Sequence, residues 1–331
     1  MLSARDIEHR YGNRLALAIA ELTLNAGSIT ALAGPNGSGK STLLRVLGCV
    51  EYPTRGVVTL DGQVMVTSAD RWRARRRITL VEQRPLLFRG SVTQNLAYAL
   101  SLHRVRGAGA ERRAASALAR MDLTGFAGRD ARSLSDGEVQ RVAVARALAL
   151  EPDVLLLDEP VSAADPASTA ALYRAIEQER ARGAAICFAS HQVEDAFRWS
   201  DRLLGLTDGS ISPVTPVNLF RAVIPDGTGP RTVRAGPLEI QVVTDRTGPV
   251  TIAIPPDDIV VSPAPLRSSA RNAFQGRITR IGDDGRGGVV LTVDVGVNLQ
   301  AHITRAALQD LALTLGSAVV VTFKTMAVRV F

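Results

Sequence analysis

The chain has 331 residues, 46% hydrophobic and 21% charged, which is the balance of an ordinary globular protein and long enough for about two domains. No apolar run reaches the ~18 residues that a membrane-crossing helix needs and no secretory leader pattern opens the sequence, so a cytosolic protein or a peripheral subunit is expected. A net charge of +7 would suit nucleic acid, but the basic residues are dispersed and aromatics make up only 4%, which argues against that partner.

Cys49 and Cys187 lie in apolar sequence without metal-ligand spacing and read as buried free thiols of a reducing compartment. The densest basic cluster, "RWRARRR" at 71–77, reads as a solvated or docking face. Only Lys40 and Lys324 are lysines among 39 basic residues, which marks each as a position that Arg does not fill.

In chain order, Tyr11 in "HRYGNRLAL" is a candidate to stack on an adenine ring, with a core tyrosine as the alternative. The strand-like "SITALA" then runs into "GPNGSGKST", Gly34 to Thr42, and on into the helical "STLLRVLGCV". This is a complete G-x-x-x-x-G-K-[ST] loop in strand–loop–helix context. Gly34, Gly37 and Gly39 permit backbone turns that aim successive N–H groups of the Pro35, Asn36 and Ser38 stretch at phosphate oxygens. The helix N-terminus adds partial positive charge. Lys40 supplies a compact cation, Ser41 a hydroxyl for Mg²⁺, and Thr42 completes the motif.

Gln83 follows another strand and opens a loop, where an uncharged side chain can reach Mg²⁺ or its water. The segment from Asn95 to Leu123, rich in Ala, Leu and Arg without strand alternation, reads as helical. "EVQRVAVARALAL" reads as an amphipathic helix, and S-x-x-E ahead of it as a capping box with Ser135 as N-cap, Asp136 at N1 and Glu138 at N3. "DVLLLDEP" is a buried strand that ends in Asp158, suited to the Mg²⁺ shell, and Glu159, placed to polarise an attacking water. "GAAICFAS" is a further strand, running into His191, whose neutral imidazole can hold a γ-phosphate and its water.

Taken in order, "GPNGSGKST", Gln83, "LSDGE", "LLLDEP", "SAADP" and His191 strongly resemble an ABC transporter ATPase subunit over about residues 1–220. The resemblance implies a RecA-like α/β core, an N-terminal antiparallel β element and a helical subdomain around 85–135. It also implies ATP and Mg²⁺, and a head-to-tail homodimer in which Ser135 and Gly137 of one copy meet the other's ATP and Asp165 couples the two sites. Two membrane-spanning permease subunits and an extracytoplasmic binding protein complete the expected assembly, with this chain on the cytoplasmic face of the inner membrane. The family's usual "LSGGQ" stands here as "LSDGE", so positions 136 and 138 depart from it.

Beyond about residue 220, period-two runs such as "LEIQVV", "VTIAI" and "GVVLTVDVG" between Gly and Asp turns indicate a small all-β domain, expected to close as a barrel. Residues 221–267 read as a connecting segment with the first strands, and "IPPDDIVVS" resembles the strand that closes such a tail onto the cassette. From 268 the chain resembles an OB-like TOBE domain of the molybdate-binding type through "SARN" and "FKTMAV". That resemblance nominates Ser269, Arg271, Lys324 and Thr325 to hold a tetrahedral oxyanion, molybdate or tungstate, as a regulatory ligand. Import of sulfate, iron or polyamine, a soluble ABC protein acting on nucleic acid or ribosomes, and a molybdate-responsive regulator are the competing readings.

Overall fold

Strands whose every residue is buried fit only inside a sheet covered on both faces, and three segments meet that description: Ile29–Ala33, Val154–Asp158 and Ala185–Ser190. The computed structural model describes residues 1–161, 166–191, 193–212, 218–227, 229–283 and 288–330, in two units, Met1–Val214 and Thr215–Phe331.

The first unit opens with β1 (Leu2–Tyr11), β2 (Arg14–Leu24) and β3 (Ile29–Ala33), then α1 (Lys40–Leu47), β4 (Arg55–Leu60) and β5 (Gln63–Val64). After α2 (Ser68–Ala74) and β6 (Ile78–Val81) come the helices α3 (Val92–Leu102), α4 (Ala108–Arg120) and α5 (Asp136–Ala149). The unit ends with β7 (Val154–Asp158), α6 (Pro166–Ala181), β8 (Ala185–Ser190), α7 (Val193–Arg198), β9 (Arg202–Thr207) and β10 (Ser210–Ser212).

One sheet is antiparallel, β2-β1-β4-β5, and the other runs β10-β9-β3-β8-β7-β6 with β9 through β6 parallel. Between the two sheets, Leu17, Ile19, Leu43, Leu44 and Leu156 share one apolar core. On the far face Ile186 and Phe188 pack with residues of α3, α4, α5 and α6 in a second core. α5 departs from the amphipathic expectation. From Val142 to Ala149 every residue except Arg146 is buried, because α3, α4, α6 and β6 pack around the helix.

The "RWRARRR" cluster is largely exposed, with Trp72, Arg73, Arg75 and Arg77 at the surface, and Arg71 is the exception among its arginines. Arg71 is buried, stacks 3.2 Å above the Tyr52 ring centroid and donates to the Met65 carbonyl. Arg77 is paired with both Asp61 and Asp153, and Arg73 with Asp70. Cys49 and Cys187 are free and buried, as expected. Among the described residues no helix is long and apolar enough to cross a membrane.

The second unit contains β11 (Leu219–Ile224), β12 (Arg231–Ala235), β13 (Leu238–Val242), β14 (Gly248–Ala253) and β15 (Val260–Ser262). β16 (Asn272–Asp283), β17 (Gly288–Asp294), β18 (Asn298–Thr304), α8 (Arg305–Asp310), β19 (Ala318–Phe323) and β20 (Arg329–Val330) follow. Its strands form three sheets, β11-β14-β20, the hairpin β12-β13, and β15-β19-β16-β17-β18. Burial alternates along β17, with Val289, Leu291 and Val293 inward, and all three sheets contribute to one core. α8 interrupts the all-β pattern. The hydroxyl of Thr304 caps it by accepting from the Ala307 N–H.

Candidate nucleotide-hydrolysis site

The order β3-β8-β7-β6 of parallel strands sets the site, because functional groups collect at the carboxyl ends of such strands. β3 delivers the loop Gly34–Gly39, β8 is followed by His191, β7 ends at Asp158 with Glu159 next, and Gln83 lies just past β6. Four segments distant in sequence therefore arrive side by side.

The loop requires glycine where the backbone turns. Gly39 has φ 105°, and a Cβ there would lie 2.9 Å from the Ala16 carbonyl oxygen. α1 starts immediately after, with no side-chain cap and no acid in its first turn, so its leading N–H groups face whatever anion the loop holds. Lys40 is 5% exposed and donates to the Gly34 and Pro35 carbonyls at 2.8 and 3.1 Å. Burial pulls its pKa down, opposed by the charges of Glu159 and Asp158.

Glu159 is where the groups converge. Gln83 Nε2 donates to its Oε2 at 2.9 Å, His191 Nδ1 lies 3.3 Å from Oε2, and Lys40 Nζ is 4.0 Å from Oε1. The residue is buried and holds φ 46°, a left-handed backbone that non-glycine residues adopt at a cost. The carboxylate is thus fixed at the strand end, in a cluster of hydrogen-bond donors and one cation.

Asp158 is 4% exposed, and its Oδ1 has no hydrogen-bond partner, an orphaned acceptor at the mouth of a phosphate loop. Burial raises its pKa, with the Ser41 hydroxyl, Arg45 and Lys40 acting the other way. An open carboxylate oxygen beside a hydroxyl is a donor set that fits Mg²⁺. Among the described residues no group of three or more His, Cys, Asp or Glu side chains can hold a metal. Of the described residues, a cation here would have only Asp158 and Ser41 as side-chain ligands and would need further oxygens from a bound ligand. Gln83, nominated for the same shell, spends its amide N–H on Glu159.

Tyr11, proposed for adenine, is 48% exposed, lies edge-on to His9 and donates its hydroxyl to Glu51 at 2.5 Å. Ser135 and Gly137 sit apart, at the head of α5. The capping box is formed as the spacing predicts: Ser135 N–H donates to Glu138 Oε2 at 2.8 Å, and Glu138 N–H to Ser135 Oγ at 3.4 Å. The Ser135 hydroxyl donates to the same carboxylate at 3.1 Å, so its O–H is engaged rather than open. Arg129 grips the other oxygen of Glu138 at 2.9 Å, a pairing nothing in the local sequence signals. Asp165 lies outside the described residues.

In the tail, Asn272 pairs with Phe323 in the β16–β19 ladder, which places Arg271 and Lys324 at the same end of that strand pair. Ser269, Arg271 and Lys324 are exposed and Thr325 is half-buried in the turn after Lys324. Sequence reasoning passed over Asn272 itself. It is 1% exposed, and its side-chain amide forms a two-way bridge to the Gln241 backbone, at 2.7 and 3.0 Å.

A family described as "ABC transporter" matches residues 17–162, and one described as "TOBE domain" matches residues 268–330. The chain is 38% identical to a phosphate import ATP-binding protein of Natronomonas pharaonis, over 65% of this chain and 80% of that one. It is 36% identical to a molybdenum import ATP-binding protein of Mycobacterium tuberculosis, over 82% of this chain and 81% of that one. The fold matches the dimeric structure of a bacterial ABC transporter cassette at 29% identity and a TM-score of 0.59, covering 64% of this chain and 97% of that one.

Proposed function

Because the chain belongs to the family of ABC transporter ATP-binding proteins, we propose that it hydrolyses ATP to energise import of a tetrahedral oxyanion, molybdate or tungstate. The observation that carries the ATPase reading is the convergence of Lys40, Gln83 and His191 on a buried, backbone-strained Glu159.

In this reading the loop N–H groups and Lys40 bind the β- and γ-phosphates, for which Lys40 leaves the Gly34 and Pro35 carbonyls. Ser41 and Asp158 hold Mg²⁺, which when bound neutralises phosphate charge. Glu159 accepts the proton of the attacking water, and His191 orients that water against the γ-phosphate. Tyr11 stacks on adenine. Ser135 and Gly137 come from a second copy, so each site is completed in a homodimer, with Asp165 linking the two. Gln83 and its loop face the membrane subunits. Two permease subunits and an extracytoplasmic binding protein provide the path, and the chain sits peripherally on the cytoplasmic face of the membrane.

The oxyanion assignment is supported by similarity to a molybdenum importer over most of the chain, and by the shared strand end of Arg271 and Lys324. A tetrahedral dianion suits a compact lysine together with further donors such as a guanidinium and small hydroxyls. Thermal melting of the full chain with molybdate, tungstate, sulfate or phosphate, with and without MgATP, tests this. A rise in melting temperature with molybdate and tungstate, lost in Lys324→Met, is expected. An equal rise with sulfate turns the reading to another anion. No rise with any oxyanion removes ligand binding from the tail.

A further inference from the structure

Arg146 is the one residue between Val142 and Ala149 that is not fully buried, and its position on α5 is specific. Its Nη1 donates to the Leu86 carbonyl at 3.0 Å. Leu86 belongs to the loop that begins at Gln83, and Gln83 in turn holds Glu159 at 2.9 Å. The other end of α5 begins at Ser135, about 16 Å away along the helix axis at 1.5 Å per residue. A single helix, packed on nearly every side, thus carries the loop expected to meet the partner's phosphate at one end. At the other it carries a hydrogen bond to the loop that holds the base.

The surroundings favour a movable contact over a filler. Arg146, Leu86, Pro85, Glu82 and Leu150 line a cavity of about 270 Å³, so the guanidinium has space beside it. Arg146 is half-buried, which lowers its pKa, while its hydrogen bond to the Leu86 carbonyl lies toward solvent and is free to open. Leu86 itself is 84% exposed, so its side chain adds little packing to the backbone anchor that Arg146 makes at its carbonyl.

Resting on the ATPase reading above, we propose that Arg146 is a positioning residue that fastens the Gln83 loop to α5, so that phosphate contact at Ser135 is transmitted to Glu159. Arg146 touches no reacting atom. It acts through Leu86 and Gln83.

The test is a double-substitution cycle on the full chain, read by steady-state ATP hydrolysis, MgATP binding and melting temperature. Arg146→Met keeps the stem and removes the donors. It should lower kcat about ten- to hundredfold while the MgATP Kd stays within about twofold. Arg146→Lys, which keeps a donor, should recover part of the rate. In a Gln83→Ala background the Met substitution should add less than about a twofold loss, because both residues act on one path. Losses that multiply in the double variant, or an unchanged kcat in Arg146→Met, overturn the proposal. Should Arg146→Met fail to fold, the same cycle with Arg146→Lys decides: its loss must vanish with Gln83 absent. A folded wild-type chain that binds but never hydrolyses ATP sinks the ATPase reading itself, which is a different result from an indifferent Arg146.

Discussion

At the residue scale, Glu159 separates a structural acid from a chemical one. A left-handed φ of 46° costs about 1–3 kcal/mol and persists only where the surroundings over-determine it. Gln83, Lys40 and the neighbouring His191 supply that determination, and a carboxylate there is what water activation needs. Glu159→Gln keeps the shape and removes the proton acceptor, so hydrolysis should fall by about 10²–10⁴ while MgATP still binds. Asp136 is the opposite case. It is exposed at the first position of α5, where the helix dipole favours an acid by roughly 0.3–1 kcal/mol. A carboxylate ~5 Å from a phosphate charge would instead cost about 1 kcal/mol in water, so it cannot point inward without opposing closure. Asp136→Gly should therefore hydrolyse ATP as fast as wild type or faster, whereas Ser135→Arg should nearly abolish turnover. Severe loss in Asp136→Gly would contradict this placement.

At the element scale, α5 shows what a sequence discloses and what it hides. The capping box was legible because four adjacent residues specify it. The burial of α5 on nearly every side was not, because Ala and Val runs suit a half-buried helix equally until its neighbours are known. The Arg129–Glu138 pair and the Arg146–Leu86 hydrogen bond were hidden for the same reason: each joins the helix to another segment. The cap has a pH signature. Backbone donation from Ser135 and then the Arg129 side chain lower the Glu138 pKa below its ordinary value of 4.5. A depressed carboxylate pKa adds stability that is complete above the unfolded value and fades as pH falls through the folded one. Wild type should thus lose its stability advantage over Glu138→Gln below about pH 4.5, and keep it at neutral pH. An advantage independent of pH in urea melts would show that charge on Glu138 does not matter.

At the scale of the whole molecule, the phosphate loop and strand-end acids were readable because buried parallel strands are continuous apolar runs with chemistry at one end. In the tail the alternating strands were equally plain. The two asparagine clamps were not, since Asn218 bridges to Ile254 and Gln300 and Asn272 to Gln241, contacts between segments far apart in sequence. The hydrolysis site of the first unit and the proposed oxyanion import make demands on each other. Hydrolysis without transport would be an idle ATPase. Transport without Glu159 would need another engine. The most direct measurement is MgATP-dependent molybdate uptake into vesicles that hold the permease subunits and binding protein together with this chain. Uptake should require ATP with the wild-type chain and disappear with Glu159→Gln. Uptake that survives Glu159→Gln, or vigorous ATP hydrolysis that accumulates no oxyanion, would contradict the account.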